Sequence, residues 1–309
     1  MKVVSYLATV PANNNNKQKI DLLKYYIEGV NSVGDTGIVT LASSPVTCDV
    51  GMIQGWVYEK KTTPHLRLRN DIILKQANHK KYVCTGDANL FLYANAKNPH
   101  GYLRYSFNGI FPNTGIYCDN YIDNERWNQI SRDYNIVLES TKTKGRHILI
   151  MLQRQGGWSM KGLDVTTWAQ KTIKRIKKYS DRPIIIRPHP GDKKATQYLY
   201  HRLNPLKNIP NVKISPQGRP LEEDLSKAWA VVNYNSSSVV GPIIQGYHSF
   251  ISDPESSQCA EVSNINFENI ENPKEFDRLQ WVRRISMFHW KFDELRNGKC
   301  WRHMRAYCQ

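Results

Sequence analysis

The sequence predicts an α/β fold built on parallel sheets, and three observations lead there. Short apolar runs alternate with stretches of helical periodicity, the pattern of βαβ units. The runs at 183–186, 230–232 and 250–251 each stop in a loop rich in proline, serine or asparagine, as strands do at their carboxyl ends. A length of 309 residues, 40% hydrophobic and 11% aromatic, excludes disorder and suits two domains that each bury a core.

Taken in order, residues 1–10 read as a first buried strand. The stretch also has the look of a signal peptide's apolar region, but it is short, carries one lysine and runs into Pro11-Ala12 and four asparagines. Over 17–31, Ile20, Leu23, Ile27 and Val30 share one helical face. Strands are expected over 38–42 and 50–57, followed by a helix over 64–79 with proline at its start. A strand over 81–85 then ends at Gly86-Asp87-Ala88-Asn89, where Asp87 either caps the next helix or offers its carboxylate at a strand end. The aromatic strand 102–107 and the turn-rich 111–115 lead to Asp119, a second carboxylate ahead of a helix over 121–132. Here Tyr102, Arg104, Tyr105, Phe107, Tyr117, Tyr121, Arg126 and Trp127 interleave rings and cations. Bases stack on such rings while cations meet phosphate, but residue by residue plain core packing is the stronger account for half of the rings.

The polar, basic stretch 141–146 is the best linker, which gives an N-terminal domain over 1–143, a second over 144–275 and C-terminal helices over 276–309. The strand 147–152 runs into Gln153, Arg154, Gln155, Gly156, Gly157 and Trp158, where paired glycines let backbone approach a diphosphate closely. The helix that follows turns Val165, Trp168, Ala169, Ile173 and Ile176 inward and a lysine–arginine stripe outward. A strand over 212–215 and a short helix over 222–228 come next, and 276–294 reads as one long helix broken at Gly298.

Two loops carry the chemistry. The first is Arg187-Pro188-His189-Pro190-Gly191-Asp192-Lys193, where prolines on both sides restrict the imidazole. The second is Asn233-Tyr234-Asn235 followed by Ser236, Ser237 and Ser238 at a helix start, whose free N–H groups and hydroxyls suit an anion. Each alone has a structural reading, a loop corner and an N-cap. On the carboxyl rim of one parallel sheet they form one site, with Arg187, His189 and Lys193 opposite the serines and a phosphate-bearing ligand between them.

The pair "RPHPGDK" and "NYNSSSVVGPIIQG…ISDP" resembles the HP and SS motifs of GT-B glycosyltransferases, the group that includes bacterial sialyltransferases and capsule Kdo-transferases. The tail "FHWKFDELRNGKCW" resembles their "W…DE…G…W" ending. The resemblance covers the second half of the chain well and the first half in outline. It implies two Rossmann-like domains facing a cleft, with a last helix crossing back to the first domain. It also implies a nucleotide-sugar, a UDP-sugar being favoured, whose diphosphate meets His189 and Ser236 to Ser238. Gln153, Gly156, Gly157, Trp158, Arg187 and Lys193 complete the expected donor site. A carboxylate of the first domain would take the acceptor's proton, Asp87 first and Asp119 second. No carboxylate cluster for magnesium stands out, so no metal is expected.

Forty-three Lys+Arg against 27 Asp+Glu leave a net charge of +16. Such a field draws polyanions, and a small neutral acceptor has no need of it. The charge and the ring–cation segment point to double-stranded DNA as acceptor, glycosylated at hydroxymethylcytosine, with Arg104, Tyr117 and Trp56 as contacts. The compact, asparagine- and lysine-rich style also resembles bacteriophage proteins that sugar-coat their genomes. Two other readings stand beside this one. One is a capsule or lipopolysaccharide glycosyltransferase using a CMP- or UDP-sugar. The other is a non-catalytic nucleic-acid-binding protein. Six cysteines without C-x-x-C or Cys/His spacing suggest a reducing cytoplasm, the host's if phage-encoded, and no structural zinc. No run approaches the roughly 20 apolar residues of a membrane helix.

Overall fold

The computed structural model describes residues 1–11, 17–58, 63–93, 98, 100–202 and 209–308. The asparagine run lies outside the described residues. The strands are β1 (Lys2–Tyr6), β2 (Thr36–Thr40), β3 (Val50–Gln54), β4 (Tyr82–Asp87), β5 (Leu103–Phe107), β6 (His147–Met151), β7 (Ile184–Arg187), β8 (Val212–Ile214), β9 (Ala228–Asn233), β10 (His248–Ile251) and β11 (His289–Trp290). The chain divides into two compact units. Met1–Leu90, Lys97–Tyr134 and Arg283–Gln309 form unit 1, and Phe91–Ala96 with Asn135–Val282 form unit 2.

Unit 1 holds a six-stranded sheet in the order β11-β5-β4-β3-β1-β2. β2, β1, β3 and β4 run parallel, while β5 and β11 join antiparallel. Of the parallel part, β1, β3 and β4 are buried, while the edge strand β2 is largely exposed. Val3, Val50 and Met52 pack with Leu22, Leu23, Tyr26 and Ile27 of the helix Lys17–Ser32. Val4, Ile53 and Val83 face Leu68 and Ile72 of the helix Pro64–Asn78 instead. β2 lies two residues earlier than the apolar pattern suggests, because pairing with β1 aligns Lys2 with Thr36 and Tyr6 with Thr40. β3 stops at Gln54 because Gly55 turns the chain at φ +75°.

The single long helix expected over 276–294 is instead a helix Arg278–Ser286, the short strand β11 and a helix Phe292–Arg296. Tertiary partners override helical periodicity here. His289 and Trp290 pair with Arg104 and Leu103 of β5. The His289 ring donates from Nδ1 to the Ile285 carbonyl at 2.7 Å, and its Nε2 accepts the Leu90 N–H at 3.1 Å. The buried Arg126 guanidinium reaches both the His289 carbonyl and the Glu294 carboxylate. Burial pushes the His289 imidazole down to about 3, which keeps it neutral in this role.

Unit 2 holds a five-stranded, all-parallel sheet in the order β10-β9-β6-β7-β8. Read from β8 this is the doubly wound order 3-2-1-4-5, with its reversal between β6 and β9. Ile148, Ile150, Ile184, Ile186 and Val232 form the centre of its core, covered by Trp168, Ala169, Ile173 and Ile176 of the helix Val165–Ile176. Asp164 caps that helix, accepting the Thr167 N–H at 2.8 Å. Although partial burial opposes it, hydrogen bonding from Thr166, Thr167 and Gln155 holds its carboxyl down at about 2. All six cysteines are free thiols, five of them buried. Among the described residues no helix is long and apolar enough to cross a membrane.

Candidate functional site

At the carboxyl ends of the unit 2 strands, beside the point where strand order reverses, lies a pocket of about 90 Å³. Met151 and Leu152 line it from the end of β6, Arg187 to Pro190 from the end of β7, and Ser236 and Ser238 from the loop after β9. The volume holds several waters, the scale of a phosphate group. The two loops singled out in the sequence therefore meet in one place within one unit.

Local geometry fixes the imidazole. Pro188 is buried and His189 half-buried, and the Gly191 N–H donates to His189 Nδ1 at 3.0 Å. An accepting Nδ1 leaves the proton of the neutral ring on Nε2, as a donor. Burial lowers the His189 pKa, and the neighbouring Arg154 charge lowers it further, so the ring is neutral at neutral pH.

The serines behave differently from one another. Ser236 and Ser238 line the pocket and Ser237 does not. Ser236 Oγ accepts the Ser238 N–H at 3.2 Å and lies 3.0 Å from Ser238 Oγ. The helix they open is a 3₁₀ turn, Ser237–Val239, continuing as a five-residue α-helix, Val240–Ile244. Pro242 sits inside it and shortens the run of aligned peptides. An anion held here would meet hydroxyl and imidazole donors more than a helix dipole.

Two expected cations are placed otherwise than their residue types suggest. Arg187 lines the pocket, but its Nη1 pairs at 2.5 Å with Asp224, whose side chain is wholly buried. Asp224 also accepts Ser215 Oγ at 2.7 and 2.9 Å and lies 3.5 Å from Arg219 Nε. Lys193 is exposed and lies outside the lining. Gln153, Gly156, Gly157 and Trp158 also lie outside it. The buried Gln153 amide donates to Asn235 Oδ1 at 2.8 Å and to Ser159 Oγ at 2.9 Å. Asn235 in turn donates to Asp253 at 3.0 Å, and Asp253 pairs with Lys161 at 2.8 Å. This network ties together the loops after β6, β9 and β10, with Gln153 at its centre. Gly156 has φ +70°, which the turn requires.

In unit 1 the strand order reverses between β1 and β3, and a buried arginine absent from the sequence expectations stands there. Arg69 donates from Nε and Nη2 to the Thr9 carbonyl at 3.0 and 2.7 Å and from Nη2 to Gln54 Oε1 at 3.2 Å. Burial lowers its pKa to about 10, against the pull of Asp87. Asp87 closes β4; its Oδ2 pairs with Arg104 at 2.8 Å and its Oδ1 accepts the Ala88 N–H. Asp119 pairs with Arg284 at 2.8 Å. Either carboxylate would give up a guanidinium contact to take a proton. Arg104 is buried against Asp87, and Tyr117 is buried on Phe288 with its hydroxyl on the Ile110 carbonyl. Tyr102, Tyr105, Phe107, Arg126 and Trp127 are core residues as well, and only Tyr121 of that segment is well exposed. Trp56 is half-buried, its ring 6.2 Å from that of Tyr58. Among the described residues no group of three His, Cys, Asp or Glu could hold a metal ion.

No family model matches the chain, and no curated protein matches it. Solved structures do. The β-Kdo 2,4-transferase KpsC of Thermosulfurimonas dismutans superposes with a TM-score of 0.55 at 13% identity, covering 94% of this chain and 92% of that one. The β-Kdo 2,7-transferase KpsC of the same organism gives a TM-score of 0.51 at 12% identity, covering 97% and 99%. The fold, two Rossmann-like units of the GT-B class, is shared with these transferases.

Proposed function

We propose that the protein is a glycosyltransferase that moves a sugar from a nucleotide-sugar, a UDP-sugar in the first instance, to an acceptor hydroxyl. One observation carries this reading: His189, Ser236 and Ser238 line one phosphate-sized pocket at the strand-order reversal of a doubly wound sheet. Unit 2 takes the donor and unit 1 the acceptor. The acceptor oxygen attacks the anomeric carbon, its proton passes to Asp87, and the nucleoside diphosphate departs with the bonding electrons. Protein donors, not a metal, meet the charge that develops on the leaving group, which is where electrostatic stabilisation acts.

Two acceptors are proposed. The fold shared with two Kdo transferases favours an acidic capsule or lipopolysaccharide glycan, built from a CMP- or UDP-sugar. The +16 charge favours duplex DNA carrying hydroxymethylcytosine. The burial of Arg104, Tyr117 and their neighbours leaves the DNA reading on charge alone. Mass spectrometry after incubation with UDP- and CMP-sugars decides, using hydroxymethylated duplex, plain duplex and a Kdo-ended oligosaccharide as acceptors. Gain of one sugar on the oligosaccharide alone selects the glycan reading. Gain on hydroxymethylated duplex that vanishes with added salt selects DNA. No gain on any acceptor with any donor removes the enzyme.

A further inference from the structure

A diphosphate carries at least two negative charges, and the pocket lining offers no net positive charge to meet them. His189 is neutral while its Nδ1 accepts the Gly191 N–H. The Arg187 charge is matched by the buried Asp224. Lys193 lies outside. Arg154 also lies outside the lining, two residues after Leu152, but it is exposed and no ion pair or side-chain hydrogen bond engages its guanidinium among the described residues.

The position of Arg154 depends on a missing side chain. A Cβ on Gly191 would stand 2.5 Å from Arg154 Nη2 and 3.2 Å from His189 Cε1. The guanidinium and the imidazole edge thus share the space above one α-carbon. Gly191 is not among the residues with positive φ, so it is the space, and not the backbone conformation, that asks for glycine there. The two loops are also fastened together. Asp192 accepts the Gln155 N–H at 3.2 Å and the Tyr198 hydroxyl at 2.7 Å, and Gln155 donates to Asp164 at 2.7 Å. A planar guanidinium so placed can take two oxygens of a phosphate, which a lysine cannot do in the same way.

We propose that Arg154 is the cation that binds the donor diphosphate at this pocket, and that residue 191 is glycine to admit its guanidinium beside His189. The proposal rests on the donor-site reading above, and the experiment separates the two. The intact protein and its Arg154→Ala, Arg154→Lys and Gly191→Ala variants are titrated calorimetrically with UDP, UMP and uridine. Arg154→Ala loses roughly 10- to 100-fold in UDP affinity, less for UMP and nothing for uridine, the range of one or two charge-assisted hydrogen bonds. Arg154→Lys falls between. Gly191→Ala keeps the wild-type melting temperature, because only the far end of a flexible side chain must move, yet binds UDP as poorly as Arg154→Ala. Wild-type affinity for UDP in both Arg154→Ala and Gly191→Ala overturns the role of Arg154 alone. A wild-type protein that binds none of the three overturns the donor reading, and this proposal with it.

Discussion

Replacing Arg187 by methionine tests whether its charge serves the ligand or the fold. Asp224 has a side chain with no solvent exposure, and Arg187, itself 13% exposed, is its nearest cation at 2.5 Å. Removing one partner of a buried pair costs about 3–5 kcal/mol, because the other charge is left uncompensated. Ser215 and the half-exposed Arg219 still face Asp224, which places the expected loss at the lower end, about 3 kcal/mol. With a urea slope of about 2 kcal/mol/M, the unfolding midpoint of unit 2 drops by roughly 1.5 M. Urea titration followed by tryptophan fluorescence reads it, since Trp168, Trp229 and Trp281 all lie in unit 2. The double variant Arg187→Met with Asp224→Leu recovers more than half of the loss, because no charge is then stranded. A single variant with the wild-type midpoint and no nucleotide binding would refute the reasoning, and Arg187 would return to the ligand.

Two further outcomes follow from the site and the core. Asp87→Asn cuts transfer by roughly 100-fold or more, the scale of a lost general base, while UDP binding stays within about twofold of wild type; unchanged turnover ends the assignment of Asp87. His289 is held neutral with its pKa near 3, below the unfolded value of about 6.5. Between those values the unfolded chain binds the extra proton. This group's contribution is therefore fully present above about pH 6.5 and shrinks by about 1.4 kcal/mol for each unit of acidification below it. Asp35, Asp133 and Glu294 also have lowered pKa values and add the same sign at lower pH. The His289→Gln variant isolates the histidine: its stability between pH 6.5 and 4.5 falls less steeply than that of the wild type, and equal slopes contradict the account.

The parallel sheet of unit 2 was legible because each of its central strands is buried on both faces and so reads as an unbroken apolar run. The meeting of the His189 and serine loops followed from topology alone, since parallel strands deliver their carboxyl-end loops to one rim. What was hidden depends on partners distant in sequence. Asp224 lies 37 positions beyond Arg187, and nothing local marks Arg187 as already paired. Arg154 was one basic residue among 43, and the glycine that makes room for it belonged to another motif. The aromatic segment around Tyr102 to Trp127 misled for a related reason. A strand and a helix that alternate rings and arginines look the same whether they cover a surface or fill a core. Only the partners of Arg104 and Arg126, namely Asp87 and Glu294, settle which. The break between Ser286 and Phe292 was invisible because the helical pattern continues through it, and strand pairing with β5 wins.

The gripping of a donor diphosphate by the proline-held imidazole and the serine loop is tested most directly by a crystal structure with UDP bound. The expected complex has β-phosphate oxygens within about 3 Å of His189 Nε2 and of the Ser236 or Ser238 hydroxyl, with the Arg154 guanidinium closing over them. A nucleotide whose phosphates lie away from His189, with the pocket filled only by water, would contradict it.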